Sequence, residues 1–290
     1  MVIANPIYDI VFKRLMENDK VAKFFIGTLL EQTIETIEVK PQEFTYSDGL
    51  AGLAVYRLDF IATIKTQTGE LKKVLIEIQK AKNEIDLMRF RNYLAEQDKK
   101  EDSVNGERTI LPITTIYILG FKLPEIITPC LKVERNYKDL VESKVILSKS
   151  DFVEKLTHDS FIVQVDRISD KYQTRLDKLL SIFEQKNFID DQKIVKEFKH
   201  EIDNEDIKLA TDILHHTGTD PEERRKIETE QEAWRSVNAM FESRERGLLK
   251  KLAEKDKAID EKDKALDEKD KAIDEMAKEL EELKRKLGGK

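Results

Sequence analysis

Residues 56–79, YRLDFIATIKTQTGELKKVLIEIQ, constrain the fold more than any other stretch of the chain. Leu58, Phe60, Ala62 and Ile64 alternate with Asp59, Ile61, Thr63 and Lys65, the period of two that sends successive side chains to opposite faces of a strand. Thr68-Gly69 is a turn signal between two β-rich runs. The second run, Val74 to Gln79, is apolar almost throughout, which predicts a strand covered on both faces in a sheet flanked by helices. Alternation puts Glu77 and Gln79 on one face of that strand, and hairpin pairing brings Asp59 towards them. A carboxylate inside an apolar strand is costly unless it is paired, protonated or bound to a cation. Two acids and an amide oxygen form a donor set suited to Mg²⁺ or Mn²⁺. Such an ion activates water and stabilises a pentavalent phosphate. On spacing alone, a solvated sheet face with two unrelated acids is the competing reading.

The flanking sequence builds a frame for this hairpin. Residues 8–30 carry the apolar stripe of a helix, interrupted near Asn18-Asp19, where Asp19 is a candidate cap for a second helix. Asp9 and Lys13, four apart, share a helical face. Ile34–Val39 predicts an edge strand before Pro41, and residues 45–53 a loop. A helix is expected over about 83–99, with Arg89 and Arg91 placed either to bind phosphate or to pair with Glu84 and Asp86. Residues 110–119, ILPITTIYIL, read as a buried strand beside the acid-bearing one, and residues 161–165 as a short edge strand. His158 reads as a turn residue and Cys130, the single cysteine, as structural. Helices are expected from Tyr172, near 191–202 and near 205–216; the adjacent His215 and His216 point in different directions and do not share a metal.

The pattern Asp59…Glu77-Ile78-Gln79, followed by a helix with Arg89, Arg91 and Tyr93, resembles the PD-(D/E)xK nuclease superfamily. More narrowly it is similar to the transposases also called recombination-promoting nucleases. Asn5-Pro6-x-x-Asp9-x-x-Phe12-Lys13 resembles that family's first helix and Val74–Gln79 its catalytic strand, and the likeness covers roughly residues 3–165. The resemblance implies a restriction-endonuclease-like α/β core of order α-β-β-β-α-β, a central mixed sheet flanked by helices, that cleaves DNA phosphodiesters with Mg²⁺. On that resemblance Asp59 and Glu77 hold the metal and Gln79 completes the catalytic set. Asp9 and Tyr93 are candidates to support the ligands from behind, and Lys13, Lys80, Arg89 and Arg91, read from their charge alone, are candidate DNA contacts. Gln79 stands where the broad superfamily has a lysine; the narrower group also carries Glu-x-Gln. Lys80, next in the chain, points to the other face of a regular strand unless the strand ends there.

The C-terminal segment is the plainest pattern. Lys255-Asp-Lys-Ala-Ile-Asp-Glu261 recurs at 262–268, with Leu for Ile, and again at 269–275. Leu252, Ile259, Leu266, Ile273, Leu280 and Leu287 repeat every seven residues, a heptad. The second core position holds Lys or Asp in the repeats and becomes apolar at Met276 and Leu283, so the seam is thin. An oligomerising coiled coil and a charge-laced single helix compete here.

The chain therefore divides into a nuclease-like head (1–168), a helical appendage (169–220) and a long helix with a coiled coil (221–290), expected to join copies of the chain through residues 248–287. Charged residues make up 38 % of the 290, and the net charge of −7 argues against a strongly basic nucleic-acid binder without excluding a local basic face. Candidates for that face are Lys13-Arg14, Lys72-Lys73, Lys80, Lys82, Arg89 and Arg91. No apolar run reaches the ~20 residues needed to span a bilayer, and a cytoplasmic location is expected. The favoured expectation is a Mg²⁺-dependent endodeoxyribonuclease. The alternative is a catalytically idle nuclease-fold module that binds DNA or protein and oligomerises through its tail.

Overall fold

Asn18 splits the first helical stretch in two. The computed structural model describes residues 1–47, 54–80, 84–104 and 106–287; the side chains of 40–47, 54–59, 84–86, 88–89, 237–238, 241–242, 244–245 and 286–287 lie outside that description. After a short strand, β1 (Val2–Ala4), come helices α1 (Asp9–Met16) and α2 (Asp19–Leu30). The Asn18 side chain accepts from Lys20 N at 3.1 Å and Val21 N at 3.2 Å, so the cap of α2 is Asn18 and not Asp19.

Three strands follow as a meander: β2 (Ile34–Ser47), β3 (Ala54–Thr66) and β4 (Leu71–Gln79). The β3–β4 turn passes through Gly69 at φ 87°, a conformation that a Cβ disfavours. β2 continues through Pro41, which sits opposite Phe60. An edge strand tolerates a proline because one of its sides needs no donor. The loop expected at 45–53 begins later, after Ser47, and residues 48–53 lie outside the described residues.

Helix α3 (Glu84–Lys99) and a small hairpin, β5 (Asp102–Val104) with β6 (Glu107–Thr109), lead to β7 (Ile113–Leu119), which pairs parallel with β4. Next come β8 (Cys130–Val133), the two-residue strands β9 (Tyr137–Lys138) and β10 (Val145–Ile146), and helix α4 (Asp151–Leu156). Strand β11 (Asp159–Gln164) is parallel to β7. The central sheet has six strands in the order β2-β3-β4-β7-β11-β8 and is mixed. β11 was expected at the edge; instead β8 pairs outside it, antiparallel, and takes the edge position.

The chain then forms α5 (Arg175–Phe183), β12 (Val195–Glu197), α6 (Glu205–Thr219) and α7 (Pro221–Leu287). The helix expected over 191–202 is not formed. Asp190 accepts from Ile194 N at 2.9 Å and Val195 N at 2.7 Å, and the segment pairs antiparallel with β1 as β12. A local carboxylate and a distant strand thus satisfy backbone groups that a helix would have paired internally. The stretch 169–220 is not set apart from the head. Leu179, Phe183, Val195, Ile207 and Leu214 join the same core cluster as Phe12, Phe60, Ile76 and Ile118.

That core lies between the sheet face bearing Ile76 and Ile78 and the helices α1, α2, α5 and α6. Phe12 is its hinge pin, with ring centroids 5.0 Å from Phe60 and 5.4 Å from Phe25, both edge-on. The opposite sheet face carries a smaller cluster of Leu75, Phe90, Tyr93 and Ile113, roofed by α3. The chain forms two compact units, Met1–Ala233 and Trp234–Lys290. In the second, every residue from Arg246 to Arg285 is exposed. Among the described residues no helix is long and apolar enough to cross a membrane.

Candidate functional site

Strand β4 sets the geometry because its two faces meet different layers. Val74, Ile76 and Ile78 face the large core, while Leu75 belongs to the α3 cluster. Alternation carries Lys73, Glu77 and Gln79 to the α3 side with Leu75. Glu77 is 1 % exposed and Gln79 7 %. On β7, Glu77 lies opposite Tyr117 and Gln79 opposite Leu119. Burial pushes the Tyr117 hydroxyl up to about 12, and the Glu77 charge adds to that. A carboxylate this deep in a sheet is expensive to hold ionised without partners or a cation.

Asp59 lies on β3, next to β4. The β3–β4 pairing runs from Lys65↔Leu71 to Phe60↔Ile76, which stops one residue short of Asp59 and Glu77. The backbone therefore brings the two predicted acids to adjoining strands; the Asp59 side chain lies outside the described residues. So does that of Arg89. Arg91, on α3, is exposed, and Tyr93 is buried in the α3 cluster with its ring 6.4 Å from Phe90.

Lys80 takes a different direction. β4 ends at Gln79, and the Lys80 ammonium turns to the α1 side, where it pairs with the Glu230 carboxylate and lies 4.6 Å from the Tyr8 ring centre. Glu230 also accepts from Asp9 N at 2.9 Å and Ile10 N at 3.2 Å. Tyr8, the cap residue of α1, contributes no side-chain capping bond. A carboxylate from α7 does that work, neutralising the positive end of α1 and the ammonium together. Asp9, 6 % exposed, begins α1, and half-buried Lys13 follows one turn later. Lys80, Glu230 and the start of α1 thus gather on one side of the sheet, and Glu77 with Gln79 on the other.

Several of the expected cations are already engaged with acids. Arg14 bonds Glu223 at 2.8 Å and Glu17 at 3.0 Å. Lys72 pairs with Glu70 at 3.0 Å. Lys73, 4 % exposed, pairs with Asp102 at 3.0 Å and donates to Gln97 O at 3.1 Å. Burial holds His158 below the usual imidazole range, and the His215 Nδ1 lies 2.7 Å from Val2 O, so that ring ties α6 to β1.

Sequence reasoning missed Glu230 and Tyr117. Glu230 stands in a charge-rich helix and nothing local marks it. Tyr117 was visible as part of a buried strand, but its position opposite Glu77 follows only from the parallel β4–β7 register.

Among the described residues, no group of three or more His, Cys, Asp or Glu side chains is placed to hold a metal. The fold defines an α/β protein with a six-stranded mixed sheet and an acid buried in its third strand. No protein-family model, curated protein or solved structure matches the chain.

Proposed function

We propose that the head is a metal-dependent DNA endonuclease with a restriction-endonuclease-like core, of the transposase type that the sequence resembles. The observation that carries this reading is a buried Glu77 on a central strand, beside the strand that bears Asp59. The order α2-β2-β3-β4-α3-β7, with the small β5–β6 hairpin inserted before β7, supports it, since without that hairpin it is the α-β-β-β-α-β order that the resemblance implies. The donor chemistry fits a hard divalent cation: an ionised Glu77 in an apolar sheet gains from a nearby positive charge, and the Gln79 amide adds a neutral oxygen.

In this reading Asp59 and Glu77 would hold Mg²⁺ or Mn²⁺, which would supply Lewis acidity for phosphodiester hydrolysis. Gln79 orients a water by its amide. Lys13, Arg89 and Arg91 contact phosphate. Lys80 joins them only by exchanging Glu230 for phosphate.

Incubation with supercoiled plasmid in Mg²⁺, Mn²⁺ or EDTA tests the proposal. Nicking that needs metal and disappears in Asp59→Ala and Glu77→Ala, with folding intact, supports it; no nicking, or nicking that survives both changes, sinks it. A second reading is an idle nuclease-fold module that binds DNA or a protein. It is favoured by the net charge of −7 and by the pairing of Arg14, Lys72, Lys73 and Lys80 with carboxylates. Retention of DNA by the chain in Mg²⁺ or Mn²⁺ without any nicking selects that module.

A further inference from the structure

We propose that residues 248–287 of α7 form a parallel, in-register, two-stranded coiled coil with a second copy of this chain. The inference is independent of the nuclease reading. Leu252, Ile259, Leu266, Ile273 and Leu280 are each 54–58 % exposed on a helix whose residues from Arg246 to Arg285 are all exposed. The helix covers about half of each side chain by itself, and the rest forms one stripe.

The spacing of that stripe requires a partner. A straight helix drifts ~20° per heptad against a strict seven-residue repeat, so four heptads from Leu252 to Leu280 would carry the stripe about 80° around the helix. Left-handed supercoiling about another helix keeps it on one seam. A solvated single helix has no use for a strict seven.

Charge decides which partner and which direction. With the stripe at the a position, the d positions are Leu248, Lys255, Lys262, Lys269, Met276 and Leu283. The three lysines are each followed at e by Asp256, Asp263 and Asp270. In a parallel pair a faces a, and each d side chain lies beside the e residue of the other helix. Apolar layers then alternate with layers in which Lys255 of one copy meets Asp256 of the other, and the same holds for the next two heptads. At the flanks, Lys251 meets Asp256 and Glu279 meets Lys284, both opposite in sign.

An antiparallel pair packs a against d. Setting Leu252 over Leu283 then places Leu266 on Lys269, Ile273 on Lys262 and Leu280 on Lys255, burying ammonium groups against the best apolar residues. Sliding a parallel pair by seven residues keeps the repeats matched but sets Leu248 on Lys255 and Lys269 on Met276. The end heptads therefore fix the register that the near-identical central repeats leave open. Lysine at d favours two chains over three, since in a dimer its stem lies along the seam while the ammonium reaches water.

The test uses the full chain with Cys130→Ser, which removes its single cysteine. Sedimentation gives the mass, and mild oxidation of Ile259→Cys (position a) is compared with Lys257→Cys (position f). Twice 33.8 kDa, with a disulfide at position 259 and none at 257, is expected. A single-chain mass, a three-chain mass, equal cross-linking at both positions, or a disulfide only on mixing Ile259→Cys with Met276→Cys would each overturn the proposal. Leu266→Asp should return the mass to one chain without changing the unfolding of the head, and a two-chain mass in that variant also counts against the seam.

Discussion

Replacing Glu230 by alanine removes one acceptor from three donors, the N–H groups of Asp9 and Ile10 and the ammonium of Lys80. Loss of a helix cap typically costs ~1 kcal/mol. Breaking a buried ion pair by deleting one partner costs roughly 3–5 kcal/mol. Here both side chains are 11 % exposed and Lys80 keeps the Tyr8 ring, so the lower end applies. A total of about 4 kcal/mol is expected, and with a urea slope of ~3 kcal/mol/M for a head of this size the midpoint falls by about 1.3 M. The assay is urea unfolding followed by the near-ultraviolet circular dichroism of the head's buried aromatic residues, Phe12 and Tyr93 among them. Glu230→Gln retains an oxygen for the α1 N–H groups but loses the charge, and should fall between wild type and Glu230→Ala. Combining it with Lys80→Met should recover part of the loss. A midpoint shift under ~0.2 M for Glu230→Ala, equivalent to about 0.5 kcal/mol, would refute the reasoning and make Glu230 an ordinary surface acid.

Two further predictions concern the core. Burial pulls the Lys196 ammonium down to about 7 from its usual 10.5, while it donates to Ser181 O at 3.3 Å and Glu184 O at 2.5 Å. Between those two values the unfolded chain binds the extra proton. Stability should therefore rise as pH climbs from about 7 towards 10.5, by at most ~1.4 kcal/mol per pH unit, with the full penalty present below 7. The wild-type minus Lys196→Met difference in urea midpoint, measured at several pH values, should show that slope; a difference that does not change with pH contradicts it. Gly218→Ala would put a Cβ 2.8 Å from the Ala4 backbone nitrogen, forcing α6 away from β1. A loss of ~1–3 kcal/mol by thermal unfolding is expected, and an unchanged midpoint would show that the two elements yield at no cost.

Where local chemistry and tertiary packing agree, the sequence was readable. The alternation of residues 58–65 became a strand, Thr68-Gly69 the turn after it, residues 113–119 of the run read at 110–119 another strand, and the interruption near Asn18 a real break. Partners far along the chain were not readable. Val195–Glu197 forms a strand only because β1 lies beside it, and Phe161–Gln164 is interior only because β8 returns to the edge. The Lys80–Glu230 pair joins residues 150 apart, so no window of sequence contains both. Glu77 was legible as an acid out of place in an apolar strand, and its burial bears that out. What the sequence had suggested of Lys80, Lys72, Lys73 and Arg14 as a basic face overlooked the acids packed against them.

Titration of Mn²⁺ into the metal-free chain, followed by calorimetry, addresses the central claim that the paired strands carry a cation site. One saturable site is predicted, lost in Asp59→Ala and in Glu77→Ala and kept in Glu70→Ala, whose acid lies in the exposed β3–β4 turn. Absence of binding, or the same binding in all three variants, would contradict the account.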